Sequence, residues 1–174
     1  MENISFKNIQ DGEVFTVAGY EFIKFPAVDG KVPAVAKNLL YTSSFGDNND
    51  LTSSKVLADL QRDFLPKITE AVGRENLCTI HTDLTTLDGL KPYPVLESLV
   101  SLPTFDFYRA NVATFDKYPV DDWWWTATPE SAQPHDSPRW IVCVAPSGSV
   151  DIDYCGCDTG VRPFLLFESS IFDA

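Results

Sequence analysis

Basic residues are scarce in this chain. Thirteen lysines and arginines stand against 25 acidic residues, for a formal net charge of −12. Nucleic-acid phosphates demand a basic face, so direct nucleic-acid binding is not expected. The excess acid suits a solvated, repelling surface. It also suits a decoy whose carboxylates imitate phosphates and occupy the basic groove of a nucleic-acid enzyme. No apolar run approaches the roughly 20 residues that cross a bilayer, and no membrane insertion is expected. The opening Met1-Glu2-Asn3-Ile4-Ser5-Phe6-Lys7 lacks the basic-then-apolar plan of a signal peptide. The expectation is a soluble protein made in the cytoplasm.

Catalytic signatures are equally sparse. The chain has two histidines, His81 and His135, far apart in sequence. There is no G-x-S-x-G, no Gly-rich phosphate loop and no H-E-x-x-H. His135 stands beside Asp136 and Ser137, but a catalytic triad is a spatial arrangement rather than three neighbours in a row. No enzyme activity is expected. Metal-ligand patterns are also thin, because no C-x-x-C supports zinc. Asp47 to Asp50 and Asp151/Asp153 offer oxygen ligands without the spacing of an EF-hand, so turn chemistry is their default account. No cofactor is expected from these patterns.

Four cysteines occur, Cys78, Cys143, Cys155 and Cys157. Without a secretion signal, free thiols are the expectation. A register argument points the same way. Arg139 to Ala145 and Val150 to Cys157 read as a hairpin about Ser147-Gly148. A two-residue turn there places Ile141, Cys143 and Ala145 on one face with Val150, Ile152 and Tyr154, and Cys155 and Cys157 on the other.

What the chain does have is length and apolar content. With 174 residues and 44% hydrophobic composition, residues 1–174 read as a single folded domain. Glu13–Val17 and Tyr20–Phe25 flank Ala18-Gly19 as a hairpin, and Asp29-Gly30 turns the chain into a third strand over Val32–Ala36. Ser53 or Ser54 caps a helix marked by Val56, Leu57, Leu60 and Phe64, which Pro66 breaks or restarts. Leu77–Ile80 and Leu99–Leu102 read as strands, and Thr104 caps a short helix through Tyr108. Tyr118 to Pro138, with four prolines and three tryptophans, reads mostly as loop with short extended pieces. Arg162–Phe167 reads as a closing strand. The class is α+β, an antiparallel sheet with two or three short helices and long irregular loops.

The densest aromatic feature is Trp123-Trp124-Trp125. On a strand, Trp123 and Trp125 face one way and Trp124 the other. One face can then close a core while the other meets a partner; the alternative is that all three are core or loop-packing residues. Trp124-Trp125-Thr126-Ala127-Thr128-Pro129 resembles the double-tryptophan, Ser/Thr-Pro signature of an uncharacterised domain family in bacterial and phage genomes. In that family a strand, a "DGS"-like turn and a terminal G-V-R-P-x-[LF] motif follow. Here Ser147-Gly148-Ser149 and Gly160-Val161-Arg162-Pro163-Phe164-Leu165 occupy those places. Upstream, Leu51 to Leu57 and Val100 to Tyr108 resemble the family's helix start and its "LLS-x-x-E-Y" segment. The chain departs where the family often has Leu-Arg and this sequence has Thr126-Ala127, and where Leu51 replaces a tryptophan. More distantly, the tryptophan-rich loops and the Gly-x-Arg ending are similar to C-type-lectin-like domains.

That resemblance implies a compact C-type-lectin-like fold whose irregular loops form a binding surface. It implies a non-catalytic phage or prophage module, either a virion component or a receptor-binding adhesin. Some C-type-lectin-like domains bind calcium, which leaves a weak calcium site open. Formylglycine-generating enzymes, which are among the C-type-lectin-like proteins, use a cysteine pair, but more widely spaced than Cys155-Gly156-Cys157, which therefore reads as a structural pair of small buried residues. The expected contact surface is the loop from Tyr118 to Pro138, centred on Trp123, Trp125, Tyr118 and His135, with a protein or glycan as partner. Self-association into a homo-oligomer stays open. Trp124, Gly160 and Arg162 read as structural, with Asp121, Asp122 or Asp158 as the carboxylate partner of Arg162.

Overall fold

The computed structural model of the chain describes residues 5–133 and 138–173. It is a mixed α+β structure with antiparallel sheets and few helices. The first sheet has the order β1-β2-β3-β11: β1 is Val14–Val17, β2 Tyr20–Lys24, β3 Lys31–Ala36 and β11 Phe164–Glu168. Its two hairpin turns follow directly from the sequence. Ala18 (φ 52°) and Gly19 (φ 82°) take left-handed conformations, as do Asp29 (φ 51°) and Gly30 (φ 75°). Both central residues at positive φ give the turn whose twist matches that of paired strands.

The second sheet has the order β4-β10-β7-β8-β9: β4 is Thr42–Ser43, β7 Trp124–Pro129, β8 Trp140–Val144, β9 Val150–Tyr154 and β10 Thr159–Gly160. Its pairings are antiparallel except β10 with β7, which run parallel and meet at Gly160 and Trp124. A small separate pair joins β5 (Ile80–Thr82) to β6 (Leu96–Ser98).

Two apolar cores hold these sheets together, and each draws on both. On one side Phe15, Phe22, Ala34, Leu165 and Phe167 of the first sheet meet Trp125, Ala127, Ile141 and Cys143 of the second. Helix α1 (Lys55–Asp59) and helix α2 (Leu65–Val72) cover that core with Val56, Leu57, Ile68 and Val72. On the other side Ile23, Phe25 and Val35 meet Trp124 and Val144. That core is closed by Tyr108 and Phe115 from α3 (Phe105–Ala110) and α4 (Val112–Phe115).

Ser54 caps α1 by accepting from the Leu57 amide. The helix does not stop before Pro66. A wider turn over Leu60–Phe64 joins α1 to α2, with the Leu65 amide donating five residues back to the Leu60 carbonyl. A proline ring collides with the carbonyl four residues before it, and the widened turn relieves that collision without ending the helix. Thr104 caps α3 by accepting from the Phe107 amide, as its sequence predicts.

Three sequence expectations need correction. The strand expected over Leu77–Ile80 lies later, at Ile80–Thr82. The strand expected over Leu99–Leu102 lies earlier, at Leu96–Ser98, and only Ser101 bridges onward, to Phe164. The described part of Tyr118–Pro138 is mostly loop, as expected, but its extended piece Trp124–Pro129 is a central strand buried along its whole length. A strand buried on both faces lacks the apolar-polar alternation that marks a strand in sequence. The hairpin of β8 and β9 is also one residue out of the expected register. Ala145 pairs with Ser149 across a three-residue loop in which Gly148 takes φ 85°. Val142 therefore faces Ile152 and Cys143 faces Asp151. One extra loop residue turned every side chain to the other face.

Candidate functional site

The three consecutive tryptophans divide between the two cores and the surface. Trp124 is 1% exposed and enters the second core, stacking on Phe115 with ring centroids 5.6 Å apart. Trp125 is wholly buried in the first core, where its Nε1 donates to the Ser43 carbonyl at 2.9 Å. This corrects the placement of Trp125 on a contact face: the strand alternates as expected, but both of its faces are covered. Trp123, just ahead of the strand, stays 37% exposed.

The terminal motif explains how β7 is held. Gly160-Val161-Arg162-Pro163 carries the chain from β10 of the second sheet to β11 of the first. The Gly160 amide donates to the Trp123 carbonyl at 2.7 Å. A Cβ at Gly160 would lie 2.6 Å from both that carbonyl oxygen and Leu39 Cδ1, so only glycine fits this close approach. Val161 enters the first core.

Arg162 points the other way and is 2% exposed. Its Nε donates to the Ala36 carbonyl at 2.7 Å, and its Nη2 to the carbonyls of Lys37 at 2.9 Å and Tyr118 at 3.4 Å. The guanidinium carbon lies 5.1 Å from the ring centroids of both Phe115 and Trp124. None of Asp121, Asp122 and Asp158 forms an ion pair with it, which corrects the expected carboxylate partner. The burial is matched instead by carbonyl dipoles and aromatic faces. Burial lowers its pKa to about 10, which leaves it charged at neutral pH.

A cavity of about 280 Å³ opens beside Trp123, lined also by Asp122, Cys143, Asp151, Ile152, Asp153, Asp158 and Thr159. Four aspartates therefore share one cavity with an exposed indole. Asp122 accepts from the Trp123 amide at 2.7 Å, and Asp153 from the Thr159 hydroxyl at 2.9 Å. None of the four forms an ion pair among the described residues. In a chain of net charge −12, such a cluster is a local well for a cation.

The remaining expected contact residues lie elsewhere. Tyr118 is half-buried, and its hydroxyl donates to the Gly12 carbonyl at 2.6 Å, so it fastens the second core to the β1 entry. It does not adjoin the Trp123 cavity. His135 lies outside the described residues. His81 sits on β5 opposite Glu97, at 3.4 Å.

All four cysteines are free thiols. Cys143 and Cys155 are buried, whereas Cys157 is exposed, so Cys155-Gly156-Cys157 is not a pair of buried residues. Burial and the nearby Asp153 and Asp151 push the Cys143 thiol up to about 12.

Two features escape a reading of the sequence alone. Trp140 and Tyr154, 5.8 Å apart at their ring centroids, form an exposed aromatic pair at the end of β8 and β9. Their pairing needed the true hairpin register. Asn49, expected as a turn residue, is buried: its side chain donates to the carbonyls of Ser131 and Trp140 and accepts from the Tyr93 hydroxyl. Among the described residues, no group of three or more His, Cys, Asp or Glu side chains could hold a metal ion. Nor is any described helix long and apolar enough to cross a membrane. Comparison of the chain with protein-family models, curated proteins and solved structures finds no match in any of the three.

Proposed function

We propose that the chain is a non-catalytic binding module whose contact surface is Trp123 with the four carboxylates around it. The carrying observation is the division of labour in Trp123-Trp124-Trp125. Two indoles fill cores and the third remains outside, at the mouth of an acidic cavity. An aromatic face ringed by carboxylates fits a cationic group on a protein partner, such as a lysine or arginine side chain. This favours protein over glycan among the two expected partner classes. The phage or prophage origin, the virion or adhesin role and the C-type-lectin-like fold rest on the resemblance of Trp124–Pro129 and Gly160–Leu165.

A second reading has its own support. A nucleic-acid mimic requires acids gathered on one face, and Asp122, Asp151, Asp153 and Asp158 are so gathered. Four carboxylates about one compact cavity suit a single cationic side chain better than the extended basic groove of a nucleic-acid enzyme.

Capture from host and phage lysates at low and high salt separates these readings. The wild type is compared with Trp123→Ala, which leaves both cores intact. A partner retained at high salt and lost in Trp123→Ala supports the aromatic module. A nucleic-acid enzyme released by salt and indifferent to Trp123→Ala supports the mimic. A partner set unchanged by both salt and the substitution overturns both.

A further inference from the structure

Another cavity, of about 270 Å³, lies around Arg162 and shares no lining residue with the Trp123 cavity. Its walls include the rings of Tyr108, Phe115, Tyr118 and Trp124. Arg162 uses Nε and Nη2 to hold three main-chain carbonyls. No hydrogen bond engages Nη1 among the described residues. Fully enclosed side-chain nitrogens and oxygens there all have partners, so Nη1 is open to the cavity. The structural task of this arginine thus leaves one amine unused. It also leaves a positive charge that carbonyl dipoles and aromatic faces solvate but that no carboxylate among the described residues neutralises, so an anion can still be drawn to it.

We infer that this cavity binds a small organic monocarboxylate with a flat apolar body. One carboxylate oxygen accepts from Arg162 Nη1, and the body lies against the apolar mouth of the cavity. Three observations limit the ligand. Only one guanidinium amine is free, which favours a single-oxygen contact over a two-pronged clasp of a phosphate. The Tyr108 hydroxyl spends its proton on the Gly148 carbonyl at 2.7 Å, so it adds no second donor for the anion. Asp116 also lines the cavity and disfavours a second negative charge on the ligand. The accessible apolar wall comes from Tyr118, Pro119, Val120 and Pro146, because Phe115 and Trp124 are buried with their ring faces toward the guanidinium.

This site stands independently of the Trp123 surface, and its failure would leave that reading untouched. Arg162→Gln is the obvious variant, but it removes bonds that tie the β10–β11 crossing and risks unfolding the chain. Ser147→Trp is the better one, because Ser147 is exposed and lines the cavity mouth. The probe is benzoate, with benzamide as its uncharged counterpart and inorganic phosphate as a different anion. Tryptophan fluorescence and melting temperature are followed against probe concentration. A saturable benzoate response is expected, absent with benzamide and weaker with phosphate. In Ser147→Trp the benzoate dissociation constant should rise at least about tenfold. Equal responses to benzoate and benzamide, tighter binding of phosphate, no saturation, or unchanged affinity in Ser147→Trp would each overturn the proposal.

Discussion

The guanidinium of Arg162 lies 5.1 Å from the ring centroid of Trp124, and no carboxylate among the described residues pairs with it. The two residues belong to the two sequence motifs with the strongest signature, and the fold brings them together at one crossing. Gly160 lets β10 approach β7, which places Trp124 and Arg162 on the same side of the sheet. Val161 and Trp125 go to the opposite core. One tripeptide and one tetrapeptide therefore fix both cores at the point where the sheets join.

Arg162→Ala should lower unfolding free energy by about 3 kcal/mol, from lost charge-assisted hydrogen bonds and lost aromatic contact. In a chain of this size that is a fall in Tm of about 10 °C, measured by calorimetry. Arg162→Met keeps most of the volume but leaves the carbonyls of Ala36 and Lys37 without this donor. It should fall between the wild type and alanine. Wild-type stability in Arg162→Met would show that packing alone accounts for the residue.

The adjacent tryptophans should behave oppositely in urea titrations. Trp125→Ala opens a cavity in the first core and removes the donor to the Ser43 carbonyl, costing about 3–5 kcal/mol. Trp123→Ala, at the surface, should cost under about 1 kcal/mol. Equal losses would place Trp123 in the core as well and remove it from the contact surface.

Much of the fold is legible where local chemistry decides the structure. The Ala18-Gly19 and Asp29-Gly30 turns, the Ser54 and Thr104 caps and the β1–β3 meander follow from residue types within a few positions. The less legible parts depend on distant partners. Trp124–Pro129 is a strand because two cores cover it, which no local alternation records. The β8–β9 register hinges on whether Gly148 closes a two- or three-residue loop, and the sequence Pro146-Ser147-Gly148-Ser149 permits either. At the candidate site, Trp123 was identifiable as an aromatic anchor. Its carboxylate ring was not, because Asp122, Asp151, Asp153 and Asp158 meet only through the pairing of β7, β8, β9 and β10.

Thiol chemistry gives a check on placement and on pH. Cys157 is exposed, whereas Cys78, Cys143 and Cys155 are buried. An aromatic disulfide reagent should therefore modify one thiol in the native protein and all four in denaturant. The Asp153 carboxylate bonded to Cys157 disfavours its thiolate and raises its pKa. At pH 8 the modification should consequently be slow and should accelerate as pH rises through that raised value. Asp153→Asn removes the opposing charge, moving the inflection down and raising the rate at pH 8. An unchanged pH profile in Asp153→Asn would separate Cys157 from that carboxylate.

The free edge of β9 carries a further consequence of the same aspartates. Asp153 pairs with Ile141, and Asp151 with Cys143. The Cys155 amide bonds to Arg139 and the Ala145 amide to Ser149, so alternation makes 141–153 and 143–151 the hydrogen-bonded pairs. The amides of Ile152 and Tyr154 therefore point outward, where another strand would seek them. Each is taken by the preceding carboxylate: Asp151 accepts from Ile152 at 2.8 Å and Asp153 from Tyr154 at 2.9 Å. Occupied donors and two negative charges make a poor template for strand addition. Asp151→Ala/Asp153→Ala frees both amides beside the apolar Val150, Ile152 and Tyr154 side chains. Sedimentation should then show concentration-dependent association absent from the wild type. Asp151→Asn/Asp153→Asn, which retains an acceptor at each position, should associate less than the alanine pair. Association equal in both variants would assign the guarding effect to charge alone, and none in either would remove it from the edge altogether.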